Sequence, residues 1–341
     1  MADEGKTDEF PFSEFANRLE HSISGLSVPI KQRGRNAFQH IRLAWRIRSI
    51  DPAMAVFRAI TAEEEAATAL ILALQERRYP GAEKLDRNNH SHKAAINVLL
   101  RSIASLFSQL KLAPKFSLHD KDVPPHISMH FDIKALAGIA EGEPLFGESE
   151  FPLDFSVGDG GKNHDFSNEL VEFAGKRGHQ KILSFIKAEA NLRNRVLYAS
   201  DKGIPNIEMK DEFISIRKDR VLTILSIAIM ILQTDQHQRF VKQCLNALLQ
   251  ALEKIEVTEV PFDGATPSDG PVLLVENIPG SKTLSIIENG KRSIVQSKFE
   301  DKLPFKIHFL EVWRIAISRI HVHFDVRLSN VTSSAQFDPP A

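Results

Sequence analysis

The chain has 341 residues, of which 43% are hydrophobic; that suffices for one large domain or two ordinary ones with a sizeable core, and argues against wholesale disorder. Its 43 Lys and Arg balance 44 Asp and Glu to a formal net charge of -1, so no global field draws in nucleic acid and any RNA contact must come from a local patch. The single cysteine, Cys244, excludes an intrachain disulfide, and its helically spaced apolar neighbours between Phe240 and Leu249 point to a buried helix position in a reducing cytosol.

The residues ahead of Phe10 are acidic and polar rather than basic then apolar, so they do not read as a signal peptide. The longest mostly apolar run, 224–232, is too short to span a bilayer. A soluble, cytoplasmic protein with no membrane partner is expected. Phe10, Pro11 and Phe12 followed by Ser13, Glu14 and Phe15 predict a hydrophobic staple and a cap before a short helix ending near Ser24. Pro29 separates it from a second helix over 31–48. There Phe38, Ile41, Trp45 and Ile47 suit the core, while Arg35, Arg42, Arg46 and Arg48 cover much of the rest.

Asp51 and Pro52, a cap followed by proline at the first helical position, start a third helix that runs to Arg78. Met54, Phe57, Ile60, Ala67, Leu70, Ile71 and Leu74 recur along it at three-and-four spacing. Tyr79, Pro80 and Gly81 end it. After the stretch Asp86-Arg87-Asn88-Asn89-His90-Ser91-His92-Lys93, a fourth helix over 90–112 carries Ile96, Leu99, Leu100, Ile103, Leu106 and Phe107.

Pro114, Pro124 and Pro125 mark a change of character. Ile127, Met129, Phe131 and Ile133 alternate with His126, Ser128, His130 and Asp132, which is a strand with one wet face. With a turn over 136–143 and a loop at Gly158, Asp159, Gly160 and Gly161, 115–162 reads as a β-containing insertion. Helix returns over 167–197 and 219–253. From Val257 short Val- and Ile-rich runs alternate with turn signals, and Asn289-Gly290 marks a hairpin. The predicted class is α+β. A tail and short helix over 1–30 lead into a helical domain over 31–255 carrying the insertion, and a small C-terminal antiparallel β domain occupies 257–335.

The chemistry points to Arg87 and His92. A guanidinium forks onto phosphate oxygens, an imidazole moves a proton near neutral pH, and the two at a helix start suit phosphodiester chemistry. With Asn88 after the arginine, Arg-Asn-x-x-x-His resembles the motif of the HEPN superfamily of small helical ribonucleases. The acidic, Ala-rich segment 62–70 on the preceding helix and His92-Lys93 opening the next are similar to the abortive-infection V (AbiV-like) branch. A further segment, Arg193-Asn194-Arg195-Val196-Leu197-Tyr198-Ala199-Ser200-Asp201, resembles Arg-x-x-Leu-Tyr-x-Asp of that branch, with the Asp one residue later. The resemblance covers roughly 35–112 and, more loosely, 165–205; the C-terminal third lies outside it.

The resemblance implies a HEPN-like bundle and a metal-independent endoribonuclease acting in antiviral defence or as a toxin. Its site is built across a two-fold homodimer, with RNA as substrate and an antitoxin or other protein as a further partner. It implies His92 as general acid or base, Arg87 on the phosphate, Asn88 positioning one of them, and an acidic residue, Glu64, orienting the pair. Lys93, Arg193, Arg195 and Tyr198 are candidate substrate contacts, the last three lining an RNA groove through phosphate and stacking contacts or else forming a solvated helix end. Arg35-Asn36-Ala37-Phe38-Gln39-His40 repeats the strict pattern: either a second half-site, or part of the first helix of one unit with a fortuitous match, with the further hypothesis that Arg35 or His40 lies across the bundle from His92 on the same phosphate. The competing structural readings are a solvated helix start capped by Asp86 or Asn88, and a capping box from Thr61 to Glu64. A non-catalytic dimerising scaffold with a partner-binding β domain is the alternative function.

No cofactor and no metal is expected. His126 and His130 are about 13 Å apart along a strand; His321 and His323, about 7 Å apart, lack a third ligand of zinc type. The Gly158 loop lacks the spacing of a phosphate cradle.

Overall fold

A computed structural model describes residues 10–109, 114–119, 126–132, 146–148, 151–159, 162–197 and 210–253, and five strands within 272–324. The class is α+β, and most of the described chain is helical. The helices pack around α3 (Pro52–Glu76), where Ala55, Ala59, Ala62, Ala66, Ala67, Ala69 and Ala73 are all buried. Small side chains on every face let α2 (Val28–Ile47) and α8 (Asp211–Leu232) come close. Asp51 starts α3 as its sequence predicts, its Oδ1 accepting from the Met54 N–H at 3.0 Å. The helix ends with Arg78 in the left-handed region (φ 53°) and the Tyr79 N–H donating to the Leu74 carbonyl at 3.0 Å. Gly81 follows at φ 89°, where a Cβ would sit 2.5 Å from Leu249 Cδ1.

Helix α1 (Glu14–Ile23) is capped by Ser13, and the preceding Phe10 and Phe12 close over Trp45 and Phe38 of α2 at 5.1 and 5.4 Å between rings. Helix α4 (His90–Gln109) follows the motif stretch. The single helix expected over 167–197 is three: α5 (Ser167–Gly175), α6 (Ile182–Ala190) and α7 (Leu192–Leu197). Gly178 at φ 78° turns the chain between the first two.

The helix expected over 219–253 begins earlier, as α8, and breaks before α9 (Arg239–Ala251). The break is fixed by buried Gln238. Its backbone N–H donates to the Tyr79 hydroxyl at 3.0 Å, its Nε2 to the Met230 carbonyl at 2.9 Å, and its Oε1 accepts from the Leu153 N–H at 2.8 Å.

A three-stranded sheet has the order β1 (Pro114–His119), β2 (His126–Asp132), β3 (Phe146–Glu148). A seven-stranded sheet takes β4 (Phe155–Asp159) and β5 (Lys162–Asn163) from the insertion, so Gly158 and Asp159 are strand rather than loop. From the C-terminal segment it takes β6 (Val272–Ile278), β7 (Ser281–Glu288), β8 (Lys291–Gln296), β9 (Trp313–Ile317) and β10 (Ile320–Phe324). The order is β5-β4-β10-β9-β6-β7-β8. Strands β7 and β8 pair antiparallel as expected, with Glu288 opposite Lys291. Every pairing is antiparallel except β6 beside β9, which is parallel, and β10 lies against β4 of the insertion. No helix among the described residues is long and apolar enough to cross a membrane.

Glutamine side chains join the strands to the bundle. Gln243 of α9 accepts from the Val157 N–H at 3.0 Å and donates to the Val157 carbonyl at 2.7 Å; Gln233 does the same for Ile127 at 2.9 and 3.1 Å. Each amide takes the place of a neighbouring strand. Because Val157 is fully buried, Gln243→Ala is expected to lower the unfolding free energy by roughly 1–3 kcal/mol, the desolvation cost of one orphaned N–H, since the Val157 carbonyl keeps the His164 N–H at 2.8 Å. Urea unfolding checks it, and a change within about 0.5 kcal/mol, the range of ordinary surface changes, would contradict it.

Candidate functional site

The stretch Asp86–His92 folds as a self-capped turn. The Asp86 carboxylate accepts from the Asn88 N–H at 2.8 Å, and the Asn89 side chain caps α4 by accepting from the Ser91 N–H at 2.9 Å. The cap is therefore Asn89, not Asp86 or Asn88. His92, only 4% exposed, turns back so that its Nδ1 accepts from the Asp86 N–H at 2.8 Å. Arg87 and Asn88 are exposed on the outside of the turn. The expected pair is thus split between core and surface.

A different histidine of the same stretch stands in a polar cluster. His90 Nδ1 lies 3.0 Å from Glu64 Oε1, and its Nε2 lies 3.2 Å from Arg193 Nη2. Arg193 Nη1 also reaches Glu64 Oε2 at 3.2 Å, closing a three-residue ring, and its guanidinium lies 5.5 Å from the centre of the Phe57 ring. Arginine donates only and the carboxylate accepts only. These contacts therefore assign the imidazole proton to Nδ1 and leave the Nε2 lone pair facing Arg193. Glu64 is buried, whereas the His90 side chain is 43% exposed and open to a ligand. Such an imidazole, aligned by a carboxylate and flanked by a guanidinium, is equipped to move a proton beside an anion.

Thr61 lies well inside α3 and donates its hydroxyl to the Phe57 carbonyl at 2.8 Å, so the capping-box reading of Thr61 and Glu64 falls. Glu63, 2% exposed, is not solvated either. Arg217 and Arg220 of α8 both donate to it, Arg220 at 3.1 Å, and Arg217 packs 4.8 Å from the Phe213 ring centre. Glu65 pairs with Arg33 at 3.0 Å.

Arg35 and His40 do not join His90. Arg35 donates to Ser24 Oγ at 3.0 Å and, with Asn36 and Gln39, lines an open polar groove of about 670 Å³. His40 lies 3.4 Å from Arg58; burial, then the Arg58 charge, holds its pKa below the ordinary value, against the pull of Glu65. Arg195 is exposed and reaches back to the Ala188 carbonyl at 3.5 Å. The Lys93 backbone N–H donates to the Asn89 carbonyl at 3.3 Å as part of the first turn of α4. Tyr198 lies outside the described residues.

Residue reading missed His90, Arg217 and Arg220. It also missed His119, whose ring stacks on His126 at 4.4 Å across β1 and β2. No group of three or more metal-ligating side chains occurs among the described residues. Cys244 is a free thiol packed against the core in α9, and burial pushes its pKa up.

Compared with known proteins, the chain matches no family model, no curated protein and no solved structure.

The split of the motif predicts unequal mutational costs. His92→Ala removes a buried side chain and a hydrogen-bond acceptor, and is expected to destabilise the protein by roughly 1–3 kcal/mol. Arg87→Ala is expected to stay within about 0.5 kcal/mol. Equilibrium unfolding of the two variants checks this, and equal effects would contradict it.

Proposed function

We propose that the protein is a metal-independent endoribonuclease of HEPN type, of use in phage defence or as a toxin, working through Glu64, His90 and Arg193. One observation carries the reading. The three segments that resemble the AbiV-like branch (the acidic run on α3, the start of α4 and the Arg193 segment) each send one side chain to a single point. Glu64 lies 26 residues from His90 and 129 from Arg193 in sequence. Nothing in local folding requires those side chains to meet.

In the proposed reaction a phosphodiester takes the donors of Arg193 that now face His90. His90 Nε2 accepts the proton of the ribose 2′-OH as the 2′ oxygen bonds to phosphorus. The bond from phosphorus to the 5′ oxygen breaks, and that oxygen takes a proton from solvent, leaving a 2′,3′-cyclic phosphate and a 5′-hydroxyl end. Arg193 stabilises the charge that builds on the phosphoryl oxygens. Glu64 holds the imidazole in its tautomer without itself exchanging a proton, as a carboxylate does beside a catalytic histidine. Arg87, exposed on the same turn, meets the RNA backbone or the second copy of a two-fold homodimer formed through the helical domain.

A second reading is favoured by the burial of His92: the match to the motif serves the turn, the Glu64 cluster pins α7 to α3 and α4, and the chain is a non-catalytic dimerising scaffold whose sheet binds an antitoxin or another protein.

Purified protein incubated with RNA in EDTA separates the two. Cleavage that falls about 100-fold or more in folded His90→Ala and Arg193→Ala is expected. Cleavage indifferent to His90→Ala refutes the site, and intact dimers without cleavage favour the scaffold.

A further inference from the structure

Beside the His90 cluster, the next carboxylate on α3 is over-supplied with positive charge. Glu63 receives both Arg217 and Arg220. Its side chain is 3% exposed and that of Arg217 11%, so neither charge is fully screened by water. Two guanidinium groups on one carboxylate leave one positive charge over. The charged groups that bear on Arg220 are Glu63, Arg217 and Arg101, one negative against two positive. Arg101 has its own partner, Glu189 at 2.7 Å.

Arg220 gives Glu63 a single hydrogen bond, from Nη1. None of its nitrogens is a buried donor without a partner, so its remaining N–H groups reach solvent, and the side chain is 26% exposed. We propose that Arg220, backed by Arg217 and Arg101, is a binding subsite for a phosphate group. An incoming phosphate offsets the surplus charge and accepts the free edge of the Arg220 fork, the geometry in which arginine exceeds lysine. Glu63 serves as the anchor that holds both guanidinium groups at the spot.

The alternative is a purely structural triad pinning α8 to α3, in which case added phosphate has no site there. The subsite does not depend on catalysis by His90. If the chain acts on RNA, however, it takes a phosphate of the strand other than the one attacked.

The test is the thermal midpoint of the full chain, titrated with sodium phosphate and with sodium chloride at matched ionic strength. A saturable rise with phosphate beyond the chloride series is expected. Arg220→Gln is expected to weaken the phosphate affinity roughly tenfold or more, the worth of a charge-assisted hydrogen bond. Arg220→Lys, which keeps the charge but not the fork, is expected to fall between the two. If Arg220→Gln does not fold, Arg220→Lys alone decides: affinity equal to that of the wild type overturns the subsite. Identical phosphate and chloride series, or a phosphate response unchanged in folded Arg220→Gln, overturn it too. His90→Ala is expected to keep the phosphate response, which separates failure of the nuclease reading from failure of this one; its loss there overturns the separate subsite.

Discussion

Two carboxylates buried side by side in the middle of an Ala-rich helix govern the arrangement of the bundle. Glu63 and Glu64 of α3 lie on adjacent faces at 2% and 8% exposure. An ionised carboxylate out of water costs several kcal/mol unless cations and hydrogen bonds answer it. The answers come from three other helices: His90 from α4, Arg193 from α7, and Arg217 and Arg220 from α8. Apolar packing alone would tolerate many rotations of an Ala-rich helix. These charges select one, because turning α3 strands both carboxylates against alanine.

The same constraint fixes the geometry of the candidate site. Helix α7 has only six residues and a small apolar cluster of its own, Val56, Ile60 and Val196 with Leu192 and Phe213. So short a helix is weakly held by its own hydrogen bonds, and Arg193 on Glu64 adds the polar half of its anchorage. On the proposed reading, ligand phosphate competes for that arginine, and substrate binding is coupled to how α7 sits. The neighbouring carboxylate, held by two arginines of a single long helix, has no such moving part.

Much of the helical framework was legible in the residues, and the reasons are local. The Asp51-Pro52 start and the Ser13 cap each depend on a few adjacent side chains. The break at 233–238 was not legible, because Gln238 is held by Tyr79 and Leu153 from far along the chain. The parallel pairing of β6 with β9 likewise depends on contacts no local pattern encodes.

At the site, the segments were legible, but the burial of His92 and the contact of His90 with Glu64 were not read from the motif. A signal for both was present. His92 falls in phase with Ile96, Leu99 and Ile103, the apolar stripe of α4, and is buried with them, whereas His90 falls out of phase and points to Glu64. The motif spacing favoured His92; the periodicity of the following helix favoured burying it. Arg217 and Arg220 sit in a stretch whose charge looks like ordinary solvated helix, and only the fold brings Glu63 beneath them.

The central claim is that His90 keeps an unprotonated Nε2, facing Arg193, for a ribose hydroxyl because Glu64 holds its other nitrogen. Nitrogen-15 resonances of the His90 ring, assigned by comparison with His90→Gln, test it most directly. In the free protein near neutral pH the account predicts a proton on Nδ1 and none on Nε2. It also predicts that the Nε2 resonance moves on adding an RNA dinucleotide whose attacking 2′-OH is replaced by hydrogen. A proton resident on Nε2, or ring resonances that stay in place at saturating dinucleotide, would contradict it.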